Sequence, residues 1–91
     1  MYRIVYTKQA EKDIKNLKAA RLDKKAKELI EILREDPYRI PPRYEKLVGN
    51  LQDFYSRRIN IQHRLIYQVV EADQPGYQGV VKIVRMWTHY E

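Results

Sequence analysis

The chain has 91 residues and no cysteine, and 18 lysine and arginine side chains against 12 aspartates and glutamates give it a net charge of +6. This length fits one small domain over residues 1–91, and the lack of cysteine excludes disulfides and thiolate metal sites. No apolar run resembles a signal peptide or approaches the roughly 20 residues that span a bilayer, so we expect a cytoplasmic protein without a membrane partner.

The first part of the chain predicts a strand followed by two helices. Tyr2 to Tyr6 is rich in β-branched and aromatic residues, which favours a strand, and Thr7 can cap the helix that follows. Apolar residues recur at helical spacing in both predicted helices. The first stripe is Ala10, Ile14 and Leu17, and the second is Leu22, Ala26, Leu29, Ile30 and Leu33. Asp36-Pro37 ends the second helix because a residue before proline avoids the helical region. The helices should form a hairpin over one face of a sheet.

The rest of the chain predicts a connector and then strands. Pro37 to Pro42 is interpreted as an extended connector, and Gly49-Asn50 as a turn. The predicted strands run over residues 54–60, 63–71 and 80–87, with a turn near residue 61 and a Pro-Gly loop before the last strand. A strand, two helices and a three-stranded meander are typical of an α+β fold with one largely antiparallel sheet.

Positive charge is concentrated around the predicted strands. Residues 39–64 hold a local excess of four positive charges. The basic residues are Arg39, Arg43, Lys46, Arg57, Arg58 and Arg64, and the acidic ones are Glu45 and Asp53. Basic surface attracts polyanions such as RNA through counterion release, and it also suits an acidic protein partner.

Strand alternation predicts which face each of these cations occupies. Ser56 and Arg58 share one face of their strand, and Arg57 lies on the other. If the turn centres near Ile61, Arg58 and Arg64 lie opposite each other across the hairpin. Like charges in that position are unfavourable without an anion between them, which indicates a phosphate site. The alternative is that each arginine pairs with a carboxylate or extends along the surface.

Three side chains are candidates for proton transfer, and each has a structural alternative. Glu45 lies among cations and could form a solvated ion pair, His63 lies at a hairpin corner, and His89 lies near the end of the chain. The histidines have no metal-ligand spacing, and the sequence contains no glycine-rich phosphate loop, so we predict neither a metal site nor a cofactor. Phosphodiester cleavage would then use the 2′-hydroxyl of RNA, with a base, a cation and an acid from the protein.

Two sequence blocks and the chain end resemble a known family. The blocks are Leu47-x-x-Asn50-Leu51-x-x-Phe54-Tyr55-Ser56-Arg57-Arg58-Ile59 and His63-Arg64-Leu65-Ile66-Tyr67, and the end is His89-Tyr90. With the preceding strand and helices, they resemble the YoeB/Txe branch of the RelE/ParE superfamily, toxins of type II toxin–antitoxin systems. The resemblance implies a RelE-like fold and a ribosome-dependent endoribonuclease that cuts messenger RNA, an mRNA interferase. It also implies a cognate antitoxin of the YefM/Axe kind, and a homodimer or a heteromeric toxin–antitoxin complex.

The same resemblance implies roles for individual residues. Glu45 is the expected general base, Arg64 the cation that stabilises the phosphorane, and His89 the general acid. The expected substrate-binding residues are Lys46, Arg57, Arg58 and Tyr90. The products would carry 2′,3′-cyclic phosphate and 5′-hydroxyl ends.

The chain departs from the family pattern at several positions, and other functions stay open. Lys46 replaces a common proline, Tyr55 a common tryptophan and Val48 a common lysine, while Glu91 extends past the His-Tyr end. One alternative is a toxin of the same scaffold that acts on another target, such as DNA gyrase. Another is a non-catalytic module that binds RNA or a partner protein.

Overall fold

The computed structural model describes residues 1–47 and 53–87. Its elements are β1 (Tyr2–Tyr6), α1 (Lys8–Ala19), α2 (Asp23–Glu35), β2 (Tyr44–Lys46), β3 (Phe54–Arg58), β4 (Arg64–Val70) and β5 (Gly79–Arg85). The predicted α+β class is confirmed, and the last three strands are shorter than expected. Strand β2 was not predicted, because three residues are too few to show an alternating pattern. Over the described ranges, neither helix has the length and apolar character needed to cross a membrane.

All five strands belong to one sheet, in the order β1-β5-β4-β3-β2. Strand β1 runs parallel to β5, and every other neighbouring pair is antiparallel. The connection between the parallel strands β1 and β5 contains both helices and the other three strands, well above the length that a parallel pair requires. The short strand β2 therefore forms one edge of the sheet and β1 forms the other.

The helices begin and pack as their sequences predict. The hydroxyl of Thr7 accepts a hydrogen bond from the amide of Ala10 at 3.1 Å, which confirms the predicted N-cap. The same hydroxyl donates to the carbonyl of Val84 at 2.7 Å and so ties the helix start to β5. Both apolar stripes pack on one face of the sheet, against Ile59, Leu65, Tyr67, Val81, Ile83 and Met86. Full burial of one such side chain contributes roughly 1.5–3 kcal/mol, so this layer stabilises most of the fold.

The connector after α2 is folded back, and the prediction of an extended segment was wrong. Residues 37–38 form a turn and residues 40–42 a bend. The side chain of Asp36 accepts a hydrogen bond from the amide of Tyr38 at 2.9 Å, and the amide of Arg39 donates to the carbonyl of Asp36 at 3.2 Å. These local hydrogen bonds stabilise a turn where the prolines favoured an extended backbone. The predicted Gly49-Asn50 turn lies outside the described residues.

Candidate active site

A cleft of about 270 Å³ opens on the face of the sheet that the helices leave uncovered. Strands β2, β3 and β4 supply four of its polar residues, and the segment between α2 and β2 supplies Pro42 and Arg43. The lining residues are Pro42, Arg43, Glu45, Ser56, Arg58 and Arg64. The structure thus brings together three of the predicted site residues, Glu45, Arg58 and Arg64.

Glu45 and Arg64 face each other across the intervening strand β3. A carboxylate oxygen of Glu45 lies 3.8 Å from a guanidinium nitrogen of Arg64, and their side chains are 54% and 21% exposed. A charge-assisted hydrogen bond between such groups is roughly 2.7–2.9 Å long, so this ion pair is loose. Both groups therefore lie within reach of one small ligand in the cleft.

Arg58 and Arg64 occupy directly opposed positions on β3 and β4, as strand alternation predicted. The hairpin between them is closed by the amide of Ile59, which donates to the carbonyl of His63 at 2.9 Å. Asn60 reinforces the turn because its side-chain oxygen accepts from the amide of His63 at 2.7 Å. The register is thus set by the turn, and it holds the two arginines in directly opposed positions, where like charges repel each other.

The cleft carries an excess of positive charge. Arg43 and Arg58 are exposed, and neither forms an ion pair with any carboxylate of the described residues. Among the described residues that line the cleft, these two and Arg64 place three cations around one carboxylate, that of Glu45. Such an arrangement attracts an anion, and guanidinium groups match the geometry of phosphate oxygens.

Ser56 is a cleft residue that sequence reasoning missed. Its side chain is 1% exposed, and its hydroxyl has no hydrogen-bond partner within residues 1–47 and 53–87. It lies opposite Glu45 in the pairing of β2 with β3. Buried hydroxyls are nearly always hydrogen-bonded, so one that lines a basic cleft is available to a ligand oxygen. Strand alternation, which puts Ser56 on the same face as Arg58, could have identified it as a cleft residue.

Two predicted substrate contacts, Arg57 and Lys46, are placed away from the cleft. Arg57 is fully buried on the opposite face of β3, where it bonds to backbone carbonyls of the connector. Lys46 lies on the same opposite face and pairs with Asp53 at 3.3 Å. The burial of Arg57 corrects its expected substrate contact. Strand geometry accounts for both positions, because the neighbours of a cleft-facing residue point to the other side of the sheet.

His63 is buried and packs against the end of the described chain. Its ring stacks on that of Trp87, with centroids 3.8 Å apart and planes at 16°. This agrees with a structural role at the hairpin corner rather than proton transfer. Trp87 thus lies beside His63, the residue before β4. His89 and Tyr90 lie outside the described residues, and their roles stay predictions.

Comparison with known proteins points to one family. A family model described as YoeB-like toxin of bacterial type II toxin–antitoxin systems matches residues 6–90. Toxin YoeB of Escherichia coli K12 is 43% identical over 51 residues, which cover 56% of this chain. The match spans 61% of that relative's length, less than two thirds.

Two solved structures from Staphylococcus aureus share the fold over nearly the full length. The YoeB dimer has a TM-score of 0.77 and 32% identity, with 98% of each chain covered. The YoeB–YefM complex has a TM-score of 0.74 and 31% identity, with 99% of each chain covered. Because the family model extends over almost all of the sequence, this chain belongs to the YoeB-like toxins of bacterial type II toxin–antitoxin systems.

Proposed function

We propose that this toxin is a ribosome-dependent endoribonuclease of messenger RNA, active in the cytoplasm and inhibited by a cognate antitoxin. The observation that carries the proposal is the loose Glu45–Arg64 ion pair in a cleft that also holds Arg43 and Arg58, which pair with no carboxylate of the described residues. A carboxylate beside clustered guanidinium groups can accept a proton while the cations stabilise negative charge on phosphorus.

The proposed reaction is an intramolecular transesterification. Glu45 takes the proton of a 2′-hydroxyl, and the 2′ oxygen attacks the adjacent phosphorus. Arg64 and Arg58 stabilise the charged phosphorane, to which the hydroxyl of Ser56 can donate a hydrogen bond. The bond to the 5′ oxygen then breaks and His89 supplies a proton to that oxygen. The products are a 2′,3′-cyclic phosphate and a 5′-hydroxyl.

The roles of His89 as the acid and of Tyr90 as a substrate-binding residue rest on the resemblance of the His89-Tyr90 ending to the family pattern. A tyrosine ring is suited to stacking on a nucleotide base.

The proposal is tested with purified ribosomes programmed with an end-labelled message. We expect Glu45→Gln and His89→Gln each to slow cleavage by roughly 10²–10⁴-fold, since proton transfer by a positioned group contributes that factor. Glu28→Gln, which alters an exposed carboxylate on α2, is the matched control and should cleave at the wild-type rate. Mapping the fragment ends checks for the cyclic phosphate. Wild-type protein that releases no fragments from ribosome-bound message would refute the nuclease assignment.

The antitoxin and a homodimer are the proposed protein partners. The Staphylococcus aureus relatives were solved as a YoeB dimer and as a YoeB–YefM complex. The described lining of the cleft has three cations against one carboxylate, so it suits an acidic segment of a YefM-like antitoxin. Such a segment would compete with RNA for the same cations, which provides a direct route to inhibition.

A further inference from the structure

The side chain of Arg57 is a buried cation held by backbone carbonyls. One terminal nitrogen donates to the carbonyls of Pro37 and Arg39, at 2.9 and 3.0 Å. The other terminal nitrogen donates to the carbonyl of Pro42, and the ε nitrogen to the hydroxyl of Tyr67 at 3.3 Å. The side chain is 0% exposed. These bonds use the fork of donors that only a guanidinium group presents.

Aromatic rings complete the surroundings of this guanidinium group. It lies 5.0 Å from the ring centroid of Tyr44 and 5.9 Å from that of Tyr67. The hydroxyl of Tyr67 donates to the carbonyl of Pro37 at 2.7 Å. Burial raises the pKa of Tyr67 to about 12, although Arg57 acts in the opposite direction, so this hydroxyl stays protonated. No carboxylate of the described residues pairs with Arg57, and carbonyl dipoles and ring faces compensate its charge instead.

The three carbonyls belong to one segment, the connector that leads into the cleft. Pro42 is both the last residue held by Arg57 and the first residue of the cleft lining. Strand β2 follows, and it carries Glu45. Because β2 has only three residues and lies at the sheet edge, its pairing alone holds it weakly.

We infer that Arg57 is a positioning residue, which fastens the connector behind the sheet and thereby fixes Glu45 opposite Arg64. The neighbouring residues Arg57 and Arg58 therefore lie on opposite faces of the sheet and have different roles. Arg58 contributes charge to the cleft, while Arg57 holds the wall of the cleft in place. The catalytic consequence of this inference rests on the proposed nuclease function, whereas its structural part does not.

The structural part is tested by hydrogen exchange on full-length Arg57→Lys protein. The reporters are the amide of Arg39, bonded to the carbonyl of Asp36, and the amide of Leu47, bonded to the carbonyl of Phe54 at 2.8 Å. Lysine keeps the charge but cannot span three carbonyls, so both amides should exchange at least tenfold faster. Leu17→Ala, which removes core packing by α1, is the control. The two variants are compared under conditions in which they have the same free energy of unfolding. Unchanged rates at both reporters would overturn the inference.

The catalytic part is tested by kinetics on ribosome-bound message. Arg57→Lys should lower kcat at least tenfold with little change in KM, because Arg58 and Arg64 remain to bind the phosphate. Adding guanidinium chloride to Arg57→Ala should restore part of kcat, and sodium chloride at the same ionic strength should not. Loosened amides with an unchanged kcat would overturn the positioning role. A wild-type protein without activity would refute the nuclease proposal instead, and the exchange data would still decide whether Arg57 holds β2.

Discussion

The carboxylate of Asp13 joins α1 to the end of β5, and we expect its removal to destabilise the fold strongly. One carboxylate oxygen accepts hydrogen bonds from the amides of Met86 at 2.9 Å and Trp87 at 3.2 Å. The other accepts from the side chain of Gln9 at 2.9 Å. Asp13 itself is 1% exposed. In Asp13→Ala the two amides lose their acceptor while the surrounding helix and strand still shield them from water.

The magnitude follows from these two amides. A buried donor without a partner costs roughly 1–3 kcal/mol, and the amide of Trp87 is only partly buried, so the loss is about 2–4 kcal/mol. The better helix propensity of alanine offsets roughly 0.5 kcal/mol. In a domain of this size 1 kcal/mol shifts the melting temperature by roughly 4–8 °C, so Tm should fall by about 10–20 °C.

Thermal unfolding followed by circular dichroism measures this effect. Asp13→Asn retains one oxygen acceptor and should lie between wild type and Asp13→Ala. Glu28→Ala removes an exposed helical carboxylate and should change stability by no more than roughly 0.5 kcal/mol. If Asp13→Ala melted as close to wild type as Glu28→Ala does, the buried amides would not depend on this carboxylate, and the reasoning would be refuted.

Two further predictions concern charges at the surface. Arg58→Gln removes the repulsion with Arg64, so without phosphate it should stabilise the protein by roughly 0.2–1 kcal/mol in urea unfolding at low salt. Added phosphate should stabilise wild type more than this variant, and equal stabilisation would contradict an anion site between the arginines. At the other sheet edge, the Arg3 guanidinium hydrogen-bonded to Asp73 lowers the pKa of that carboxyl. The pKa of Asp73 is lower in the folded state than in the unfolded state, where it is roughly 3.9. The ion pair therefore stabilises the fold fully above the unfolded-state pKa, and this stabilisation is lost as the pH falls through the folded-state pKa. Arg3→Ala should raise the pKa of Asp73 in a carbon-13 NMR titration, and an unmoved titration curve would argue against the pair.

Much of the scaffold follows from interactions between residues near each other in the chain. The Thr7 cap and the apolar stripe through Ala10 and Leu17 depend on spacings of three and four residues, and both appear where the sequence predicts them. The opposition of Arg58 and Arg64 depends on a short turn and on strand alternation, so it too was accessible from sequence.

The corrected assignments have a different origin. Arg57 looked like a second phosphate contact because it neighbours Arg58, but its partners are carbonyls 15 to 20 residues away. No local pattern reports such partners, since backbone carbonyls are the same for every residue type. The position of Lys46 outside the cleft has a related cause, because the orientation of a three-residue edge strand is set by the strand with which it pairs.

The amino-acid sequence by itself determined the class of fold, the opposed arginines and the family, because periodicity and short motifs encode these features locally. Only the tertiary structure decided that Glu45 meets Arg64 across a strand, that Ser56 is buried in the cleft with no hydrogen-bond partner among the described residues, and that Arg57 is structural whereas Arg58 lines the cleft. Those outcomes depend on packing between segments far apart in the chain, where side-chain direction and burial are set by the sheet as a whole.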